Sequence, residues 1–127
     1  MEIDGVRILI VEDSDLMAEA IKDMLLDAGA VVVSMTASVN AALDIVATQS
    51  IDLACLDINL GKEDSFPVAD ELVSRSIPFV FVSGGKAEVV PPHHRHQSFV
   101  RKSDISQKLV PACWNASRGG ASGESRA

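Results

Sequence analysis

Glu12, Asp13, Asp57, Ser83 and Lys102 each stand where an apolar stretch of the chain gives way to polar sequence. Three carboxylates brought together repel one another and raise one another's pKa values. A hard divalent cation relieves that conflict, and Mg²⁺ favours a few carboxylates plus waters. A cation-bound carboxylate beside a hydroxyl and an ammonium is suited to holding a phosphoryl group, its oxygens shared among the cation, Ser83 and Lys102. Each residue alone has a plainer explanation. Glu12-Asp13 reads as a polar loop start or a helix-dipole partner, Asp57 and Ser83 as turn residues, and Lys102 as a solvated surface charge. The joint arrangement of acid pair, acid, hydroxyl and lysine at four strand ends is what favours a shared site.

To share one cleft, these residues must end neighbouring elements. Val6-Arg7-Ile8-Leu9-Ile10-Val11 is close to a continuous apolar run, the type buried on both faces of a parallel sheet, and it ends in Glu12-Asp13. Ser14 suits a helix N-cap, with Leu16, Met17, Ala20, Ile21, Met24, Leu25 and Ala28 at helical spacing and Gly29 at C′. A second strand is expected over 30–35. Ser38 then caps a helix whose apolar positions are Val39, Ala42, Leu43, Val46 and Ala47. A third strand over 51–57 ends in Asp57, a loop covers 58–64, and a helix follows over 65–74 with Pro67 in its first turn. The fourth strand, 78–82, runs into Ser83-Gly84-Gly85. Residues 86–90 offer one or two helical turns, Pro91-Pro92 stops them, and His93-His94-Arg95-His96 reads as a loop. Ser98-Phe99-Val100 is a short fifth strand ending in Arg101-Lys102, and Ser103 is placed to cap a last helix through Ile105, Leu109 and Val110. Pro111 is expected to end or kink that helix near Val110. Strand–helix repeats of this kind need right-handed crossovers. They give a doubly wound α/β fold, a parallel sheet with helices on both faces and ligands at the carboxyl ends of its strands.

The 127 residues are the size of one domain, and 47% apolar content is enough for a core. Lys plus Arg is 11 against 18 Asp plus Glu, a formal net charge of -7. An acidic chain repels phosphate backbones and anionic lipid, which argues against nucleic-acid or membrane binding by bulk charge. No apolar run approaches the ~20 residues needed to cross a bilayer. Met1-Glu2-Ile3-Asp4 lacks the basic start of a secretory leader, so a cytoplasmic location is expected. Cys55 and Cys113 lie far apart in apolar contexts and read as buried free thiols. The Gly-, Ser-, Arg- and Ala-rich residues 117–127 are expected to form a disordered tail on an ordered domain of residues 1–116.

Taken together, Ile8-Leu9-Ile10-Val11-Glu12-Asp13, Leu56-Asp57-Ile58-Asn59-Leu60, Phe81-Val82-Ser83-Gly84 and Phe99-Val100-Arg101-Lys102 resemble the receiver domain of bacterial two-component response regulators. The resemblance spans roughly residues 6–110. It implies a (βα)5 fold with sheet order 2-1-3-4-5. It implies that Asp57 accepts a phosphoryl group from a sensor histidine kinase. Asp13, Asp57 and the backbone carbonyl of Asn59 would bind Mg²⁺, with Glu12 reaching the ion mainly through water. Ser83 would be the switch hydroxyl, Lys102 the cation that neutralises the acyl phosphate, and Phe99 the aromatic that moves with Ser83. Such a protein is a signalling switch with slow self-dephosphorylation, not an enzyme. More narrowly, Ser65-Phe66-Pro67-Val68-Ala69-Asp70-Glu71-Leu72 and Ile77-Pro78-Phe79-Val80-Phe81-Val82-Ser83-Gly84 are similar to the alphaproteobacterial, often stand-alone receivers with a Pro-Phe-x-Phe-Ala-Thr-Gly-Tyr signature. Those are associated with histidine kinases of the HWE type. Val82, Ser83 and Gly85 stand here in place of Ala, Thr and Tyr. The short polar tail is not expected to hold an output domain. Phosphorylation would then be read by a downstream protein partner, or the chain would act as a phosphate sink or relay.

Ser103 stands where the family usually has proline in a cis peptide. A cis Lys102–Ser103 bond would cost roughly 2.5–4 kcal/mol more than trans, so Lys102 is expected to be presented differently, with Arg101 competing for its role. Residues 86–96 promise only a weak or mobile fourth helix. Two other functions compete. A phosphorylation-independent pseudo-receiver would not need Asp13, Asp57, Ser83 and Lys102, all of which are kept. An aspartate-nucleophile phosphatase would want Asp-x-Asp where the chain has Asp57-Ile58-Asn59. His93, His94 and His96 have no cysteine or carboxylate nearby in sequence and read as a loop without metal. Trp114 reads as packing the last turn against the core.

Overall fold

β1 (Arg7–Val11) is buried at every position after Arg7, as an apolar strand must be when helices cover both its faces. The computed structural model describes residues 3–85 and 89–119. After β1 come α1 (Asp15–Asp27), β2 (Val31–Thr36), α2 (Val39–Thr48) and β3 (Leu53–Asp57). A hairpin of β4 (Asn59–Leu60) and β5 (Glu63–Asp64) leads to α3 (Phe66–Ser74) and β6 (Phe79–Ser83). A 3₁₀ turn over Pro92–His94 precedes β7 (Ser98–Arg101), and a second over Lys102–Asp104 opens α4 (Ile105–Ser117). Ser14 and Ser38 cap α1 and α2 as expected, their Oγ atoms accepting the N–H of Met17 at 3.2 Å and of Ala41 at 3.1 Å.

The main sheet is parallel, in the order β2-β1-β3-β6-β7. This is the expected 2-1-3-4-5, with β6 and β7 as its fourth and fifth strands. Side chains alternate strictly between the two faces. Leu9, Val11, Ala54, Leu56, Phe79 and Phe81 meet Val39, Ala42 and Val46 of α2 and Val68, Ala69 and Leu72 of α3. Ile8, Ile10, Leu53, Cys55, Val80 and Val82 meet Ile21 and Leu25 of α1 and Leu109, Cys113 and Ala116 of α4. Both cysteines are buried free thiols, and the crossing of β3 under α4 brings their Sγ atoms to 3.9 Å. No helix among the described residues is long and apolar enough to cross a membrane.

Several local expectations are corrected. Residues 58–64 are not an open loop but the β4–β5 hairpin, in which Leu60 pairs with Glu63 across Gly61-Lys62. Gly61 supplies the positive φ, +83°, that a II′ hairpin turn needs at its first central position. Pro111 neither ends nor interrupts α4. It and Gln107, whose carbonyl loses its helical donor, both face solvent, while Leu109 and Cys113 anchor the opposite side. Ser103 does not cap α4; it lies inside the 3₁₀ turn, and Asp104 takes the cap position without a side-chain hydrogen bond. Leu16 is 84% exposed instead of joining the core, because helix α1 turns it outward. Trp114 also faces outward, with the Arg118 guanidinium 4.7 Å from its ring centroid. The described part of 86–96 carries the 3₁₀ turn over Pro92–His94; residues 86–88, part of the expected helical turn, lie outside the described residues. α4 ends at Ser117, and residues 120–127 of the expected tail lie outside the described residues.

Candidate functional site

Strand register assembles the site. Val11 pairs with Leu56, Asp57 with Val82, and Ser83 with Arg101. Glu12, Asp57, Ser83 and Lys102 therefore emerge along one edge of the sheet, with Asp13 just beyond β1. One carboxylate oxygen from each of Glu12, Asp13 and Asp57 lies within 4.8 Å of the others. Glu12 and Asp57 are each only 4% exposed, whereas Asp13 faces solvent. Asp13, Asp57, Asn59, Ser83 and Lys102 line a cleft of ≈ 500 Å³.

Lys102 is the hub of the cleft. Its Nζ donates to Glu12 Oε2 at 3.0 Å and to Asp57 Oδ2 at 3.1 Å. Every peptide bond in the described residues is trans, and Lys102 still reaches both acids. The neighbouring Arg101 is exposed. Burial works to lower the Lys102 pKa, but the Glu12 and Asp57 carboxylates outweigh it and raise it. Burial pushes the Glu12 carboxyl up to about 7, against the Ser14 N–H and the Lys102 ammonium, while the Asp57 charge adds to the rise.

The remaining residues fall around this hub. Ser83 is buried, and its Oγ accepts the Gly85 N–H at 3.1 Å. Phe99 is half-buried and pairs with Phe81 across β6 and β7. Asn59 begins the hairpin, and its Oδ1 accepts the Gly61 N–H at 3.1 Å, so its side chain holds the turn. Gly61 comes close to the acids: a Cβ built on it would lie 4.0 Å from Asp13 Oδ2. Its part in the cleft is missed in sequence, although a glycine four residues past a strand-ending acid is a turn signal.

Three acids and one ammonium leave the cleft with surplus negative charge. Glu12 Oε1 is buried and has no hydrogen-bond partner among the described residues. An orphaned carboxylate oxygen beside two further carboxylates fits a hard divalent cation, whose ligands are oxygens. Chemically, the cleft offers an aspartate oxygen as nucleophile, with an ammonium, a hydroxyl and a cation-binding acid pair around it.

A second cluster lies outside this cleft. His94 is buried to 1% exposure among Phe66, Phe79 and Phe81, and its Nε2 lies 2.6 Å from Asp70 Oδ1. The loop expected over 93–96 thus has a carboxylate beside it after all, supplied by α3.

Residues 8–94 match the family described as the response regulator receiver domain. No curated protein matches the sequence. Among solved structures, the solution structure of SdrG from Sphingomonas melonis Fr1 is 35% identical, over 85% of this chain and 96% of that one, with a TM-score of 0.72. The BeF3-activated conformation of SdrG from Pseudomonas melonis Fr1 is 39% identical, over 86% of this chain and 96% of that one, with a TM-score of 0.69. The N-terminal domain of a response regulator/sensory box/GGDEF 3-domain protein from Carboxydothermus hydrogenoformans is 29% identical, over 88% and 94% of the two chains, with a TM-score of 0.76.

Proposed function

Because this chain belongs to the response regulator receiver domain family, we propose that Asp57 accepts a phosphoryl group from the phosphohistidine of a sensor histidine kinase. The observation that carries this reading is the Lys102 ammonium held between Glu12 Oε2 and Asp57 Oδ2 at the mouth of an open cleft. One Asp57 oxygen attacks phosphorus. The phosphorus–nitrogen bond breaks, its electron pair leaves with the kinase imidazole, and that ring takes up a proton. The product is an acyl phosphate on Asp57. Mg²⁺, held by Asp13, Asp57 and the Asn59 carbonyl with Glu12 behind a water, would neutralise the acids and draw charge from the phosphoryl oxygens. Lys102 exchanges its contact with Asp57 for a phosphoryl oxygen, which keeps its charge compensated throughout. Ser83 gives up the Gly85 N–H to donate its hydroxyl to another oxygen, and Phe99, one strand away, follows.

The protein then works as a phosphorylation switch and not as a turnover enzyme. It acts in the cytoplasm on a downstream protein or as a phosphate sink or relay, without nucleic-acid or membrane binding. The Pro78-Phe79-Val80-Phe81 segment supports a kinase of the HWE type as donor. The test is incubation with a small phosphodonor and Mg²⁺, read by intact mass. One phosphoryl group is expected on the wild type and none on Asp57→Asn or after chelation. Beryllofluoride, the ligand named for one of the similar structures, should shift the amide resonances of Ser83 and Phe99 only when Asp57 is present. A folded wild type that takes no label would overturn the reading and leave a phosphorylation-independent interaction module.

A further inference from the structure

We propose that Asp70, His93 and His94 form a second metal site, specific for a borderline transition-metal ion such as Zn²⁺ and separate from the acidic cleft. The site joins α3 to the 3₁₀ turn before β7. Asp70 Oδ1 lies 2.6 Å from His94 Nε2 and 3.1 Å from His93 Nε2, and one donor atom from each residue lies within 4.8 Å of the others. Two imidazole nitrogens therefore converge on one carboxylate oxygen from adjacent residues of one turn. A ring nitrogen this close to a carboxylate oxygen needs either its own proton or a shared cation between them.

The surroundings favour a cation site. His94 is clamped by Phe66, Phe79 and Phe81, which fix its ring plane and aim Nε2 outward at Asp70. Asp70 and His93 have side chains 58% and 64% exposed, so solvent can complete the coordination sphere. Two imidazoles, one carboxylate and an open position suit Zn²⁺, whereas Mg²⁺ prefers the all-oxygen cleft around Asp57. A bound ion would fasten the turn that leads into β7 to α3, on the face of the sheet that carries Phe81 and Phe99. The site stands independently of the phosphoacceptor reading, since it shares no residue with that cleft.

The test is calorimetric titration of the full chain with Zn²⁺, paired with Co²⁺ absorption to report the ligand set. One equivalent is expected to bind to the wild type and equally to Asp57→Asn, with visible Co²⁺ bands. Binding should be lost in His93→Gln and in Asp70→Asn, both exposed positions that leave the buried His94 in place. Three outcomes would overturn the proposal: no binding to the wild type, binding that survives both of these substitutions, or binding that disappears in Asp57→Asn.

Discussion

Removing the Lys102 ammonium would leave Glu12 Oε2 and Asp57 Oδ2 without the positive charge that bridges them. Lys102→Ala should therefore fold yet accept phosphoryl groups slowly. Loss of one preorganised charge-stabilising donor costs about 10²–10³-fold in rate, and the time course of labelling by a small phosphodonor checks it. At this scale the sequence was informative wherever a residue's meaning came from its own strand end. Glu12, Asp13, Asp57, Ser83 and Lys102 are each announced by the apolar run before them, and strand register brings them together. Asp70 has no such announcement. Its partner His94 lies 24 residues away, and nothing in the local pattern of α3 sets it apart from Glu71, the helix's other acid.

Pro111 shows how an element survives a residue that opposes it. A proline inside a helix removes one backbone hydrogen bond and crowds the preceding turn, at about 3 kcal/mol relative to alanine. Here α4 runs unbroken because Ile105, Leu109, Cys113 and Ala116 bury one stripe of it against the sheet. Pro111→Ala should raise stability by about 1–3 kcal/mol, read as a higher urea midpoint at unchanged slope. Burial of the helix stripe is a tertiary effect, and that is why the local rule for proline misplaced the helix end. The β4–β5 hairpin escaped notice for a different reason. Its strands are two residues long, too short for any alternation to register, and only the Gly61 turn identifies them. The three central strands β1, β3 and β6 were legible because their apolar runs are continuous, as burial on both faces requires.

For the whole molecule, the two cores are separate layers sealed by one sheet, and the two thiols lie together in the layer under α1 and α4. The neighbouring Cys113 thiol and burial both push Cys55 well above its ordinary pKa, and both thiols are shielded from solvent. Both cysteines should resist a thiol-specific disulfide reagent in the native state. They should become reactive together, at the denaturant concentration where the fold is lost. Reactivity well before that point would mean that α4 lifts from the sheet on its own.

Trp114 has an optical consequence. The chain contains no tyrosine and one tryptophan, and that indole lies on the outer side of α4 under the Arg118 guanidinium. Intrinsic fluorescence of this protein is therefore a single-point signal from the far end of α4, about 15 Å along the helix from Asp104. Chemistry confined to the Asp57 cleft will be dark to it. A change in emission would instead mark something reaching the end of α4, either a partner that displaces Arg118 or a movement of the helix itself.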